Sequence, residues 1–91
     1  MPVKLRIPTV LAKAAGGQTV HEARGATVGD VVADVADRFP ELGPRLRDAK
    51  GEPYPYVIFY VDEEDIRFQQ GFQTSVQDGA EIVVVPAIAG G

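Results

Sequence analysis

Val28, Val31, Val32, Val35 and Phe39 recur at i, i+3, i+4, i+7 and i+11, the spacing that gathers apolar side chains on one face of an α-helix. Asp30, Asp34, Asp37 and Arg38 fall on the opposite side. Thr27 is placed to cap this helix by accepting from a first-turn amide, and Asp30 sits near the positive end of the helix dipole. Pro40 disfavours helical backbone in the residue before it, so the helix ends there. A single long helix against several short apolar runs leaves one economical solution: a sheet with that helix across one face.

The remaining runs supply the strands. Val3, Leu5 and Ile7 alternate with Lys4 and Arg6, the period of a strand with one dry face and one wet one, and Pro8 ends its pairing. After Leu11 to Ala15, Gly16-Gly17 turns the chain into a second strand, Gln18 to Arg24, which forms a loose hairpin with the first. Glu41 to Arg47 holds a further helical turn or two, with Leu42 and Leu46 four apart, and Lys50 to Pro55 is a Gly/Pro loop. Tyr56 to Val61 is a strand rich in β formers, Asp62 to Asp65 an acidic turn, and Ile66 to Phe68 a short strand. Gln69 to Gln77 is a polar connector anchored by Phe72 and Val76. Asp78-Gly79 turns into the last strand, Glu81 to Val85, which Pro86 stops. The expected class is α+β, a β-grasp: a mixed sheet of about five strands, first and last side by side at its centre, with one main helix. Residues 1–86 form the domain and residues 87–91 a tail ending in Gly90-Gly91.

Composition removes most chemistry. The chain has no cysteine and one histidine, His21, which excludes disulfides, thiolate metal sites, a cysteine nucleophile and multi-histidine metal centres. Nine basic against thirteen acidic residues leave a net charge of −4, so affinity for nucleic acid or an anionic membrane has no basic patch to rest on. The start, MPVKLRIPTV, interleaves charges with apolar residues and reads as neither signal peptide nor membrane span; a cytoplasmic location is the expectation. With 91 residues the core is small and a deep cleft is not expected. No Gly-rich phosphate loop, nucleophile elbow or second histidine nominates a catalyst. Asp62-Glu63-Glu64-Asp65 lacks the ligand spacing of a calcium loop and reads as a solvated acidic turn; His21 reads as an exposed strand residue. No metal site is expected.

The tail stands apart. Gly90-Gly91 follows directly on a core strand, and five residues beyond Pro86 carry a carboxylate up to about 17 Å from the globule, with no side chain beside it to bar entry into a narrow slot.

Those features coincide with a resemblance. The block Asp78-Gly79-Ala80-Glu81-Ile82-Val83-Val84-Val85-Pro86-Ala87-Ile88-Ala89-Gly90-Gly91 and the strand and turn from Phe59 to Arg67 resemble the MoaD/ThiS family of ubiquitin-like sulfur carriers over essentially the whole chain. Ile7-Pro8-Thr9-Val10-Leu11, Gly16-Gly17-Gln18 and Phe68-Gln69-Gln70-Gly71 resemble the branch that serves cysteine biosynthesis, the CysO-like carriers. Asp62 stands where relatives often carry Asn, a change expected to touch the turn and not the chemistry. The resemblance implies a carrier and not an enzyme. Gly91 would be the covalent acceptor, adenylated with ATP by an E1-like partner and converted to a thiocarboxylate, and Gly90, Ala89, Ile88 and Ala87 would be the residues by which partners recognise the tail. No cofactor would be bound. A PLP-dependent cysteine synthase-like enzyme and a zinc metalloprotease would be the further partners of that branch. Delivery of sulfur to a pterin or another thio-metabolite shares the same tail chemistry, and a ubiquitin-like protein modifier or an interaction module with an idle tail are the other readings.

One helix covers one face of the sheet, yet Tyr56 to Val61 and Ile82 to Val85 are apolar on both faces. The uncovered face is either a small second core under the loops or a docking surface, with Phe59, Val83 and Val85 as its candidate residues. Charge is uneven along the chain, +2 through Lys50 and −6 from Gly51 onward. The activating partner is therefore expected to present a basic rim.

Overall fold

The computed structural model describes residues 2–87. Strand β1 (Val3–Arg6) turns Val3 and Leu5 inward and Lys4 and Arg6 outward, as its alternation requires. It pairs antiparallel with β2 (Val20–Ala23) on one side and parallel with β5 (Glu81–Pro86) on the other. Beyond β5 lie β3 (Val57–Val61), antiparallel to it, and the two-residue β4 (Glu64–Asp65). The order β2-β1-β5-β3-β4 puts the first and last strands side by side in the middle of the sheet, the β-grasp arrangement.

Helix α2 (Val28–Arg38) crosses one face. Thr27 is extended and its Oγ1 accepts from the Asp30 amide at 3.1 Å. Val28, Val31, Val32 and Val35 are fully buried and share one core with Leu5, Ile7, Phe59, Ile82 and Val84. Gly25 lets the chain enter the helix closely, since a Cβ there would lie 2.6 Å from the Asp30 Cβ. At the other end the Arg38 guanidinium donates to the Glu22 carbonyl at 2.6 Å, and the Asp34 carboxylate accepts from the Arg24 amide at 2.9 Å. The helix thus occupies backbone groups along β2, a strand at the sheet edge.

Two local features depart from the sequence-based expectation, and one stretch to which it gave no structure proves regular. Leu11 to Ala15 is helical: α1 (Thr9–Ala12) runs into a 3-10 turn at Lys13–Ala15, because Leu11 and Ala15, four apart, both bury against the core. The hairpin of β1 and β2 is real, but its connection is a helical cap. Ile66–Phe68 is a 3-10 turn and not a strand, since the Asp65 side chain captures the Arg67 amide at 2.8 Å and only Ile66 is buried. His21, expected to be exposed, is 4% exposed; its Nε2 meets the Gln18 carbonyl at 2.8 Å and its ring stands edge-on to Phe39 at 5.0 Å between centroids. The inward parity of β2 carries it there, and the local carbonyl satisfies the imidazole.

The turns predicted around Leu42 and Leu46 appear as α3 (Gly43–Leu46), with both leucines fully buried. In the connector, Val76 is buried and Phe72 packs edge-on to Phe59 at 5.2 Å. Strand β5 runs through Pro86, opposite Val57. The ladder bonds of this pair fall at Asp62–Glu81 and Tyr56–Ala87, so position 86 is one whose nitrogen points away from β3 and whose missing N–H costs no bond.

Candidate functional site

Two features outside the core lie along β5: the uncovered face of the sheet, whose acidic turn sits at the start of the strand, and the root of the tail at its far end. On the uncovered face Tyr60 lies opposite Val83, and Ile58 opposite Val85, which is 37% exposed. Arg6 flanks Val83 from the β1 side and forms an exposed ion pair with Glu81, Nη2 to Oε2 at 2.9 Å. Tyr60 and Val83 floor a shallow depression rimmed by Asp62, Glu63 and Glu81. The outer face is therefore apolar at its centre and acidic at the turn end.

Phe59 does not belong to it. Its side chain is 1% exposed and points into the helix-covered core opposite Val84, which corrects its place among the docking candidates. Val83 and Val85 do face outward, and the residues beside them are Ile58 and Tyr60. The two parities of Tyr56 to Val61 are equally apolar, which hid the distinction; Glu81 was the usable signal, because a charged residue shares its face with Val83 and Val85.

The acidic turn is built, not loose. Asp62 and Glu63 have φ of 47° and 76°, the two positive values of a type I′ hairpin between β3 and β4. The Asp62 amide donates to the Glu81 carbonyl at 3.0 Å and its Oδ1 accepts from the Glu81 amide at 3.2 Å, which pins the turn to the start of β5. Further along, Arg67 grips Asp65 through Nε and Nη2, the shortest contact being 2.6 Å. That hydrogen-bonded pairing holds the Asp65 carboxyl below its usual range and pushes the Arg67 guanidinium further up. Among the described residues, no group of three or more His, Asp or Glu side chains comes together to hold a metal ion.

At the tail root, Tyr54-Pro55-Tyr56-Val57 forms a turn in which the Val57 amide donates to the Tyr54 carbonyl at 3.3 Å. The Ala87 amide donates to the Tyr56 carbonyl at 2.9 Å, so the ladder continues one residue past β5. The rings of Tyr54 and Tyr56 meet edge to face at 5.3 Å, and Tyr56 is 66% exposed. Of the predicted tail residues only Ala87 is among those described; Ile88, Ala89, Gly90 and Gly91 lie outside them.

A parallel pair of terminal strands at the centre of a five-stranded sheet, with one helix across its face and a Gly-Gly sequence beyond the last strand, defines a small ubiquitin-like β-grasp protein. Residues 5–91 match the model of the ThiS family, and the chain belongs to that family. It is 38% identical to the sulfur carrier protein CysO of Mycobacterium tuberculosis, a match that covers all of both chains. It superposes on a chain of the crystal structure of the Amycolatopsis orientalis BexX/CysO complex with a TM-score of 0.90 and 37% identity, covering 98% of this chain and 99% of that one. It is also 33% identical, over 72% of its length and 71% of the relative's, to the small archaeal modifier protein 3 of Haloferax volcanii.

No helix among the described residues is long and apolar enough to cross a membrane.

Proposed function

We propose that this chain is a cytoplasmic sulfur-carrier protein that supplies a reactive end to other enzymes and carries out no catalysis itself. The observation that carries this reading is the extent of the family match, which runs through Gly91 and includes the glycine pair. Residues 1–86 are the folded body, and residues 87–91 the arm by which partners recognise the carrier, Gly90 keeping its end narrow. With Gly91 as the C-terminal residue, its carboxylate attacks the α-phosphorus of ATP bound to an E1-like partner and displaces pyrophosphate. The acyl-adenylate then makes AMP a leaving group. A sulfide or persulfide displaces AMP, and a thiocarboxylate remains once any S–S bond is reduced by a thiol. The partner supplies ATP and the catalytic groups, and the carrier binds no cofactor.

Full-length identity to a CysO carrier supports delivery of that sulfur to cysteine biosynthesis. There the thiocarboxylate adds to an aminoacrylate on a PLP-dependent cysteine synthase-like enzyme. An S-to-N acyl shift links cysteine to Gly91, and a zinc metalloprotease hydrolyses the amide. The outer-face residues Ile58, Tyr60, Val83 and Val85 form the docking surface, with the acidic rim facing basic groups of the activating partner.

Incubation with ATP, sulfide and an E1-like enzyme, read by intact mass, tests the reading. The chain is expected to gain the oxygen-to-sulfur increment at its C-terminus, and deletion of Gly91 to abolish the gain while the fold persists. Sulfur transfer that survives the deletion would overturn the proposal. The similarity to a small archaeal modifier protein favours a second reading, in which Gly91 is joined to lysines of other proteins. High-mass conjugates in the same assay, in place of the increment, would select it.

A further inference from the structure

The ladder bond that lies beyond the last strand has a consequence for how the reactive end is presented. β3 and β5 pair from Val61–Ile82 to Val57–Pro86, and one more bond, from the Ala87 amide to the Tyr56 carbonyl at 2.9 Å, follows the proline. Its acceptor is not a free loop. Tyr56 sits at the third position of the turn closed by the Val57 amide on the Tyr54 carbonyl, Pro55 holds the second position at a fixed φ, and the Tyr54 amide donates to the carbonyl of the fully buried Leu46 at 3.0 Å. The edge-to-face contact of the Tyr54 and Tyr56 rings braces the same turn from outside. A chain of backbone bonds thus connects the root of the tail to the core at α3.

The geometry points to Tyr56 as a positioning residue for the thiocarboxylate-forming end, acting through its carbonyl on Ala87. Resting on the proposed carrier function, this assigns the Tyr54–Val57 turn as a clamp that makes Ala87 part of the sheet. The clamp leaves four residues, 88–91, between Ala87 and Gly91, a span of at most about 13–14 Å. Fixing the backbone of a residue costs a factor of about 5–30 in an equilibrium at room temperature, and the clamp meets that cost for Ala87 before the partner arrives. The benefit is spread equally over bound ground state and transition state, so it belongs in KM and not in kcat. The partner this requires is an enzyme whose adenylating centre lies within that reach of the surface that receives the sheet end.

The test removes one donor. An Ala87→Pro variant lacks the N–H, and an amide-to-ester replacement at position 87 removes it while keeping the methyl side chain; Ala87→Gly keeps the donor and measures what the methyl group alone contributes to recognition. Hydrogen exchange of the Ala87 amide, expected to be at least tenfold slower than for an unpaired peptide, checks the clamp itself without reference to function. With an E1-like enzyme, ATP and sulfide, both donor-less forms are expected to stay folded and to raise KM for the carrier about five- to tenfold with kcat within twofold, a larger rise than Ala87→Gly gives. Unprotected exchange at Ala87, or donor-less forms with the parent's KM, would overturn the clamp while leaving the carrier reading intact. A parent chain that is never thiocarboxylated would remove the carrier reading, and the exchange measurement would still decide whether the clamp exists.

Discussion

Tyr60 and Val83 face each other across the β3–β5 ladder on the side of the sheet that α2 leaves uncovered, whereas Phe59 and Val84, one residue along each strand, are buried beneath the helix. Neighbouring positions of one strand therefore carry opposite obligations. Phe59→Ala empties a core site and is expected to cost about 3–5 kcal/mol of stability. Val85→Glu, on the outer face at 37% exposure, is expected to stay within about 1 kcal/mol of the parent yet to lower kcat/KM for activation by the E1-like enzyme at least tenfold. Urea unfolding and activation kinetics on the two variants separate fold from docking; an active Val85→Glu chain would remove Val85 from the docking surface.

The acidic rim makes a prediction about encounter. Asp62, Glu63 and Glu81 surround the Tyr60–Val83 depression, and surface charges of this kind act on association rate and are screened beyond about 10 Å at 0.1 M salt. Raising NaCl from 0.05 to 0.5 M is expected to slow association with the activating enzyme several-fold while changing dissociation little. Stopped-flow association rates independent of salt would show that the rim takes no part.

How much was legible follows from which residues have a single-valued pattern. Val28 to Phe39 carries charge on one side only, and both the helix and its Thr27 cap could be placed from that. Val3 to Ile7 is equally one-sided. Tyr56 to Val61 is apolar on both faces, so its strand was legible and its parity was not, and Phe59 was assigned to the wrong side. His21 was misplaced because burial of an imidazole needs only one nearby acceptor, here the Gln18 carbonyl, and a backbone acceptor leaves no mark in a sequence. Ile66 to Phe68 has strand-forming residues, but the preceding Asp65 side chain closes a 3-10 turn over them, a local hydrogen bond overriding propensity. The glycine pair at positions 90–91 was legible as a motif. The bond that anchors the tail root was not, since it joins Tyr56 to Ala87 through backbone atoms alone.

Helix capping gives a prediction confined to stability. Thr27 Oγ1 holds the Asp30 amide at 3.1 Å, and loss of such a cap costs about 1 kcal/mol. Thr27→Ala is expected to lower the urea midpoint accordingly, and Thr27→Ser to restore most of the loss. Equal stabilities for all three chains would show that the cap contributes nothing.

The Asp65–Arg67 pair predicts a pH dependence. Hydrogen bonding to Arg67 lowers the Asp65 carboxyl in the folded chain, so the unfolded chain binds the proton more readily. The stabilisation is fully present above the ordinary carboxylate value and is lost as pH falls through the lowered one, a window below about pH 4. Asp65→Asn and the parent are expected to differ most in unfolding free energy at pH 6–7 and to draw together toward pH 2–3. A difference that stays constant across that range would mean the ion pair is not linked to folding.

The hairpin turn offers a stabilising substitution. A type I′ turn needs positive φ at both central positions; Asp62, at 47°, is a residue type that tolerates this, and its Oδ1 is held by the Glu81 amide. Glu63, at 76°, is exposed and lies in the left-handed region, where a side chain costs about 1–2 kcal/mol. Glycine removes that strain and adds back part of it as unfolded-state entropy, so Glu63→Gly is expected to gain about 0.5–1 kcal/mol. The substitution also removes one negative charge from a run of four, and Glu63→Ala isolates that effect because alanine keeps the strain. If urea unfolding in 0.5 M NaCl gives Glu63→Ala the same gain as Glu63→Gly, charge relief and not backbone geometry explains the stabilisation; a gain specific to glycine locates the strain at position 63.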